Sequence, residues 1–95
     1  GVANQFEELM AQMGDRPRVR IIRMRKVSFV DSTGIHNLTN LCEMSQREGI
    51  RIVLSGVSPE VNATLEKAGF NELLGAENIC SNIHEALQKA ALLVK

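Results

Sequence analysis

Asp31, Ser32 and Thr33 stand side by side, followed by Gly34. A carboxylate and two hydroxyls in a row can each accept a hydrogen bond from the free N–H groups of a first helical turn. A helical pattern starts right after them, at Ile35. Gly34 puts no side chain in the way of a close approach. The turn therefore presents hydroxyls at the positive end of a helix, a place suited to a phosphate or another anion. A phosphate added to a hydroxyl here would bring nearly two negative charges to a surface. The plainer reading is a helix-capping serine that carries no modification.

A second small polar turn, Gly56-Val57-Ser58, precedes Pro59. It follows the next apolar run, so it could flank the first turn on the same sheet edge and help cradle a nucleotide or anion. Gly56 and Ser58 are the candidates there. Ordinary strand-to-helix turns would read the same way.

No pattern supports catalysis. There is no Gly-x-Ser-x-Gly elbow and no Gly-x-x-x-x-Gly-Lys loop. His36 and Cys42 are six residues apart on a helix, about 240° in direction, which rules out a dyad. Cys42 and Cys80 are the only cysteines and form no C-x-x-C pair, so neither zinc nor redox chemistry is expected. Both lie among apolar residues and are expected to be buried thiols, in keeping with a reducing compartment. His84, near a helix start, is expected to be exposed and not a ligand. No catalytic residue, metal or cofactor is expected.

The whole chain has 95 residues, enough for one domain with one modest core. Its formal net charge is zero, which gives no argument for nucleic acid. The charges are unevenly placed. Arg16, Arg18, Arg20, Arg23, Arg25 and Lys26 fall in one stretch without an acid, while acids dominate after Glu60. This is either a basic rim for phosphates or a membrane surface, or a set of stems covering a sheet edge with their heads paired to acids. No run of eighteen apolar residues occurs, so this chain does not itself span a membrane.

The elements that must position these turns alternate. Val2 to Met13 reads as a helix, with Val2, Phe6, Leu9, Met10 and Met13 on one face. Gly14-Asp15-Arg16-Pro17 breaks it. Val19 to Met24 reads as a strand with apolar residues on both faces, as inside an α/β sheet. Ile35 to Glu48 is the next helix, with Ile35, Leu38, Leu41, Cys42 and Ser45 inward and Gly49 as its stop. Ile50 to Leu54 is a buried strand, expected to lie parallel to the first through a right-handed crossover. Ser58-Pro59-Glu60 opens a helix, with Ser58 as cap, Pro59 in the first position and Glu60 at the positive end. Val61, Leu65 and Ala68 face inward, and Gly69 stops it. Phe70, Leu73 and Leu74 close the core. Asn78-Ile79-Cys80 is expected as a short edge strand. Ser81 is expected to cap the last helix, Asn82 to Val94, with Ile83, Ala86, Leu87, Ala90 and Val94 inward.

Val27-Ser28-Phe29-Val30-Asp31-Ser32-Thr33-Gly34 resembles the signature loop of the STAS domain, found in sulfate transporters and anti-sigma-factor antagonists. The resemblance continues through Gly49-Ile50-Arg51-Ile52-Val53-Leu54-Ser55-Gly56, Pro59-Glu60-Val61, Ala68-Gly69-Phe70 and Asn82-Ile83-His84-Glu85-Ala86-Leu87. It covers nearly the whole chain. It implies an α/β fold with a small, mostly parallel sheet and packed helices. It also implies a strand pair ahead of the first helix, so the domain is expected to be incomplete at its N-terminus. Gly1-Val2-Ala3-Asn4-Gln5-Phe6-Glu7-Glu8 and the Asn82–Leu87 segment look most like the cytoplasmic domain of SulP-type anion transporters. That branch implies a non-catalytic regulatory role at the cytoplasmic membrane face, in contact with the membrane part, another subunit or a cytosolic protein. The alternative is a free-standing anti-sigma-factor antagonist. In such antagonists a partner kinase phosphorylates the serine directly after the loop aspartate, the position that Ser32 matches.

Overall fold

The computed structural model describes residues 18–94. The helix expected over Val2 to Met13 lies outside them. Among the described residues, two parallel strands form the sheet, β1 (Val19–Arg23) and β2 (Arg51–Ser55), joined by a helix, α1 (Ser32–Arg47). Register runs from Val19 opposite Arg51 to Arg23 opposite Ser55. Helix α2 (Pro59–Lys67), short helix α3 (Phe70–Leu74), a 3-10 turn (Ala76–Asn78) and helix α4 (Ile83–Leu93) follow. Strand, crossover helix and parallel strand are as the sequence implied.

The strands form where β-branched residues cluster, at Val19, Ile21, Ile22, Ile52 and Val53. Their alternation divides the apolar residues between two faces. On one face Met24, Ile52 and Leu54 pack with Cys42 of α1, Val61 and Leu65 of α2, and Phe70 and Leu74 of α3. Leu54, Leu65 and Phe70 are completely buried, each contributing about 1.5–3 kcal/mol relative to exposure. On the other face Val53 packs with Cys80 and Ala86, and with the partly buried Val19, Ile21, Ile83 and Leu93. Among the described residues the second core is the smaller of the two. One polar tie crosses the first face: Arg20 Nη1 of β1 donates to the buried Ser45 Oγ of α1 at 3.1 Å.

Several details depart from the pattern of the sequence. Helix α1 begins at Ser32, not Ile35, because Asp31 caps it. Asn82, not Ser81, caps α4: its side chain accepts from Glu85 N at 2.8 Å, while Ser81 Oγ donates to Glu85 Oε2. Ala68 is exposed because α2 ends at Lys67 and the chain turns through Gly69 into α3. Ile79 makes a single parallel bridge to Leu54, and Asn78 belongs to the 3-10 turn, so no edge strand of several residues forms there. The residues Val27 to Val30 continue β1 only as irregular chain.

The inward stripe of α4 is also narrower than expected. Ile83 and Leu93 pack on the small core with Ala86, whereas Leu87 and Val94 are exposed. On α1, Leu41 is at the border of exposure, while Cys42 and Ser45 are buried.

Candidate functional site

The turn at Asp31–Gly34 sits at the C-terminal end of β1, where the chain enters α1. Asp31 is extended, and its Oδ1 accepts from Gly34 N at 2.8 Å. Its carbonyl accepts from Ile35 N at 2.9 Å. The carboxylate thus satisfies one of the free N–H groups of α1 and places a negative charge at its positive end. Of the three oxygen-bearing side chains, only Asp31 does this; Ser32 and Thr33 occupy the first two helical positions and are exposed. Their hydroxyls are left to face the surroundings. A Cβ on residue 34 would lie 2.9 Å from Val30 Cγ1 and 3.3 Å from Asp31 Oδ1, so the cap and the loop close on each other only around a glycine.

The second turn has its own chemistry. Gly56 has φ +70°, and a Cβ there would lie 2.8 Å from the Arg25 backbone nitrogen. The absence of a side chain lets the end of β2 rest against the chain leaving β1. Ser58 Oγ accepts from Val61 N at 3.2 Å, Pro59 holds the first helical position of α2, and Glu60 lies in its first turn.

The two turns do not close on one site. Asp31 and Gly34 line an open groove of about 500 Å³ whose other walls are mostly apolar, among them Ile22, Val27, Phe29, Leu38 and Leu41. Ser58 lines a separate cleft of about 340 Å³ with Arg25, Lys26, Ser28 and Glu60. Each helix start already carries an acid, Asp31 or Glu60, that competes with a free anion for the same dipole. Arg25 and Lys26 are exposed and form no ion pair among the described residues.

Sequence reasoning missed the groove beside the first turn. Phe29 is 76% exposed there, and Leu41 forms part of the same wall from α1. Phe29 lies among apolar neighbours between the β1 strand and the Asp31 turn, and nothing in the sequence pattern marked it as surface. The cysteine thiols are buried, and the Cys80 carbonyl accepts from Val57 N of the second turn at 3.0 Å. Cys42 is fully buried, and burial with Glu43 nearby pushes its thiol up to about 11. Cys80 is raised by burial as well, and Glu85 adds to the effect. Neither is poised as a nucleophile. His36 and His84 are both exposed; His36 Nε2 lies 3.3 Å from Asn40 Nδ2. No cluster of residues suited to a metal occurs among the described residues.

A strand–loop–helix turn with a capping aspartate and two exposed hydroxyls, set on a small parallel sheet, defines the class. The chain belongs to the STAS domain family, whose model matches residues 1–86. The chain is 38% identical to a sulfate transporter family protein from Wolinella succinogenes of known crystal structure. That structure superposes with a TM-score of 0.80 and covers 99% of this chain and 77% of the other. The SulP transporter STAS domain from Vibrio cholerae superposes with a TM-score of 0.78 at 31% identity, over 98% of this chain and 73% of that one. Among curated relatives, sulfate transporter 1.3 of Arabidopsis thaliana is 32% identical over 87 residues, 90% of this chain and 13% of that protein. Probable sulfate transporter 4.2 of the same plant is 35% identical over 68 residues, 72% of this chain and 10% of that protein. The chain therefore spans only about a tenth of the curated relatives it matches. No described helix is long and apolar enough to cross a membrane.

Proposed function

We propose that this chain is the regulatory and interaction domain of a SulP-type inorganic anion transporter, lying at the cytoplasmic face of the membrane and carrying no catalysis of its own. The observation that supports this most directly is the Asp31–Gly34 turn. Its cap is satisfied internally, so Ser32 and Thr33 are left exposed on a rigid helix start, beside an exposed Phe29. A rigid, polar-and-apolar surface of this kind suits a protein partner better than a free anion, for which Asp31 is a competitor at the same helix end. The partner is the membrane part of the same transporter, another subunit, or a cytosolic protein. The likeness to transporter STAS domains favours this reading over a free-standing antagonist switched by phosphorylation of Ser32.

Ser32→Asp in the natural full-length protein tests the role of the turn. An exposed substitution at a helix start shifts stability by about 0.5 kcal/mol or less. Radiolabelled sulfate uptake into proteoliposomes is expected to change by about a factor of two or more, which corresponds to about 0.4 kcal/mol of altered coupling. It should do so with no kinase present. Unchanged uptake, at unchanged folding, would remove the turn as the contact surface. A natural full-length protein without membrane spans, whose partner binding changes only after a kinase has modified Ser32, would favour the antagonist reading.

A further inference from the structure

The chain leaving β1 makes a turn that is basic at its tip. Val27 N donates to Met24 O at 3.0 Å, which closes a turn with Arg25 and Lys26 at its two corners. The turn is pinned from below. Met24 is buried, its N–H donates to Ser55 O at 2.7 Å, and the Arg25 backbone rests against Gly56. Both corner residues are exposed, and so is Arg23 two positions before them. Three residues past Lys26 stands Phe29, the most exposed large apolar side chain among the described residues.

From Arg23 to Asp31 the chain thus carries three exposed cations and one exposed aromatic ring against a single acid. That acid, Asp31, is engaged by Gly34 N at the start of α1. Glu60 shares the cleft of Arg25 and Lys26, and even with it the rim keeps an excess of positive charge. A folded acidic partner would match these cations but would have to offer a shaped pocket for Phe29. A bilayer with anionic headgroups needs no such pocket. Its phosphates meet the cations, and an aromatic ring settles at the boundary of headgroups and acyl chains.

We propose that the loop from Arg23 to Phe29 is a docking surface for an anionic lipid bilayer. This rests on the reading that the chain belongs to a membrane transporter, which holds the loop within reach of the headgroups. Arg23, Arg25 and Lys26 meet lipid phosphates, and Phe29 sinks in beside them. Ser32 and Thr33, at the start of α1, stay on the protein side of the same rim. Each cation contributes about fivefold to the docked population. The charge of the leaflet then sets how firmly the Asp31–Gly34 turn is held towards its partner.

Residue-resolved hydrogen exchange on the natural full-length protein in lipid nanodiscs tests this independently of transport. The amides of Ser28 and Phe29 donate to no backbone carbonyl among the described residues, so water reaches them freely when the loop is undocked. They are expected to exchange about 10-fold more slowly in phosphatidylglycerol discs than in phosphatidylcholine discs. Salt at about 0.5 M should remove most of that difference. Arg25→Gln combined with Lys26→Gln should bring the phosphatidylglycerol rates to within about twofold of the phosphatidylcholine ones. The amide of Glu48, bonded at the far end of α1, reports the fold and should stay unchanged throughout. Equal rates in the two lipids overturn the proposal. So does slowing that the double variant leaves in place, or slowing already complete in uncharged lipid, which makes a protein surface the occupant. If Glu48 quickens in the double variant, Phe29→Ser is the variant to read, and undiminished slowing at Ser28 there refutes the docking. Protein that never enters a bilayer would sink the transporter reading and this one with it, whereas equal rates from inserted protein sink the lipid contact alone.

Discussion

Replacing Asp31 by alanine removes one hydrogen bond and one charge, and the structure separates the two. The bond is Gly34 N to Asp31 Oδ1 at 2.8 Å, on an exposed helix start. Loss of an aspartate cap costs about 0.5–2 kcal/mol, typically about 1. Asparagine keeps an oxygen in the same place and loses only the attraction of a negative charge to the helix end, worth about 0.3–1 kcal/mol when exposed. Asp31→Ala should therefore lower the melting midpoint by about 4–8 °C per kcal/mol for a domain of this size. Asp31→Asn should lower it by less than half as much. Circular dichroism at low ionic strength reads both. The local consequence is equally specific: without the cap, the first turn of α1 frays and the helix starts near Ile35, so the amide of Ile35 exchanges faster. Equal losses for alanine and asparagine would mean that charge rather than the capping bond holds the turn. No loss for alanine would mean that the turn is fixed by its neighbours and that the cap is incidental.

Gly56→Ala should destabilise by about 1–3 kcal/mol, since residue 56 has φ +70° and its new Cβ would lie 2.8 Å from the Arg25 backbone; urea unfolding measures it, and a loss under 0.5 kcal/mol would refute the close contact. Leu65→Ala, in the fully buried centre of the larger core, should cost about 2–5 kcal/mol by the same assay. Burial raises the Cys42 thiol from 9.0 to about 11, so the folded state keeps a proton that the unfolded state has lost between those values. The contribution is present below pH 9 and is lost as pH rises through that window. The melting midpoint should therefore fall from pH 9 to 11 more steeply in the wild type than in Cys42→Ala, and parallel curves would contradict the assignment.

The parts of this fold that were legible in the sequence are those fixed by local chemistry. Ser58-Pro59-Glu60 reads as a helix start because cap, first position and charge agree, and α2 begins there. Ile50 to Leu54 reads as a buried strand because β-branched residues lie between two glycine turns, and β2 occupies it with a shift of one residue. At Asp31-Ser32-Thr33 three capping types stand together, and Gly34 delays the helical pattern to Ile35. Local chemistry alone could not choose among the three, and α1 starts three residues before the pattern does. At Ser81-Asn82 two adjacent capping types posed the same choice. Leu41, Leu87 and Val94 were misplaced for another reason. How wide a sheet lies beneath a helix is a tertiary fact, and no helical periodicity reports it. The groove of Phe29 and Leu41 is hidden in the same way, since its walls come from β1, a loop and α1.

The unequal cores on the two sides of the sheet set the order in which the domain comes apart. Among the described residues, nine buried residues bind α1, α2 and α3 to one face, while three, Val53, Cys80 and Ala86, together with the partly buried Val19, Ile21, Ile83 and Leu93, hold α4 to the other. Cooperative units open in order of the apolar contact that ties them down. Among the described elements, helix α4 is therefore expected to peel away first, at a free energy below that of global unfolding, leaving the strands with α1 to α3 as the more resistant unit. A protease acting on the native ensemble would trim the C-terminal helix and leave the Asp31–Gly34 turn standing on its sheet.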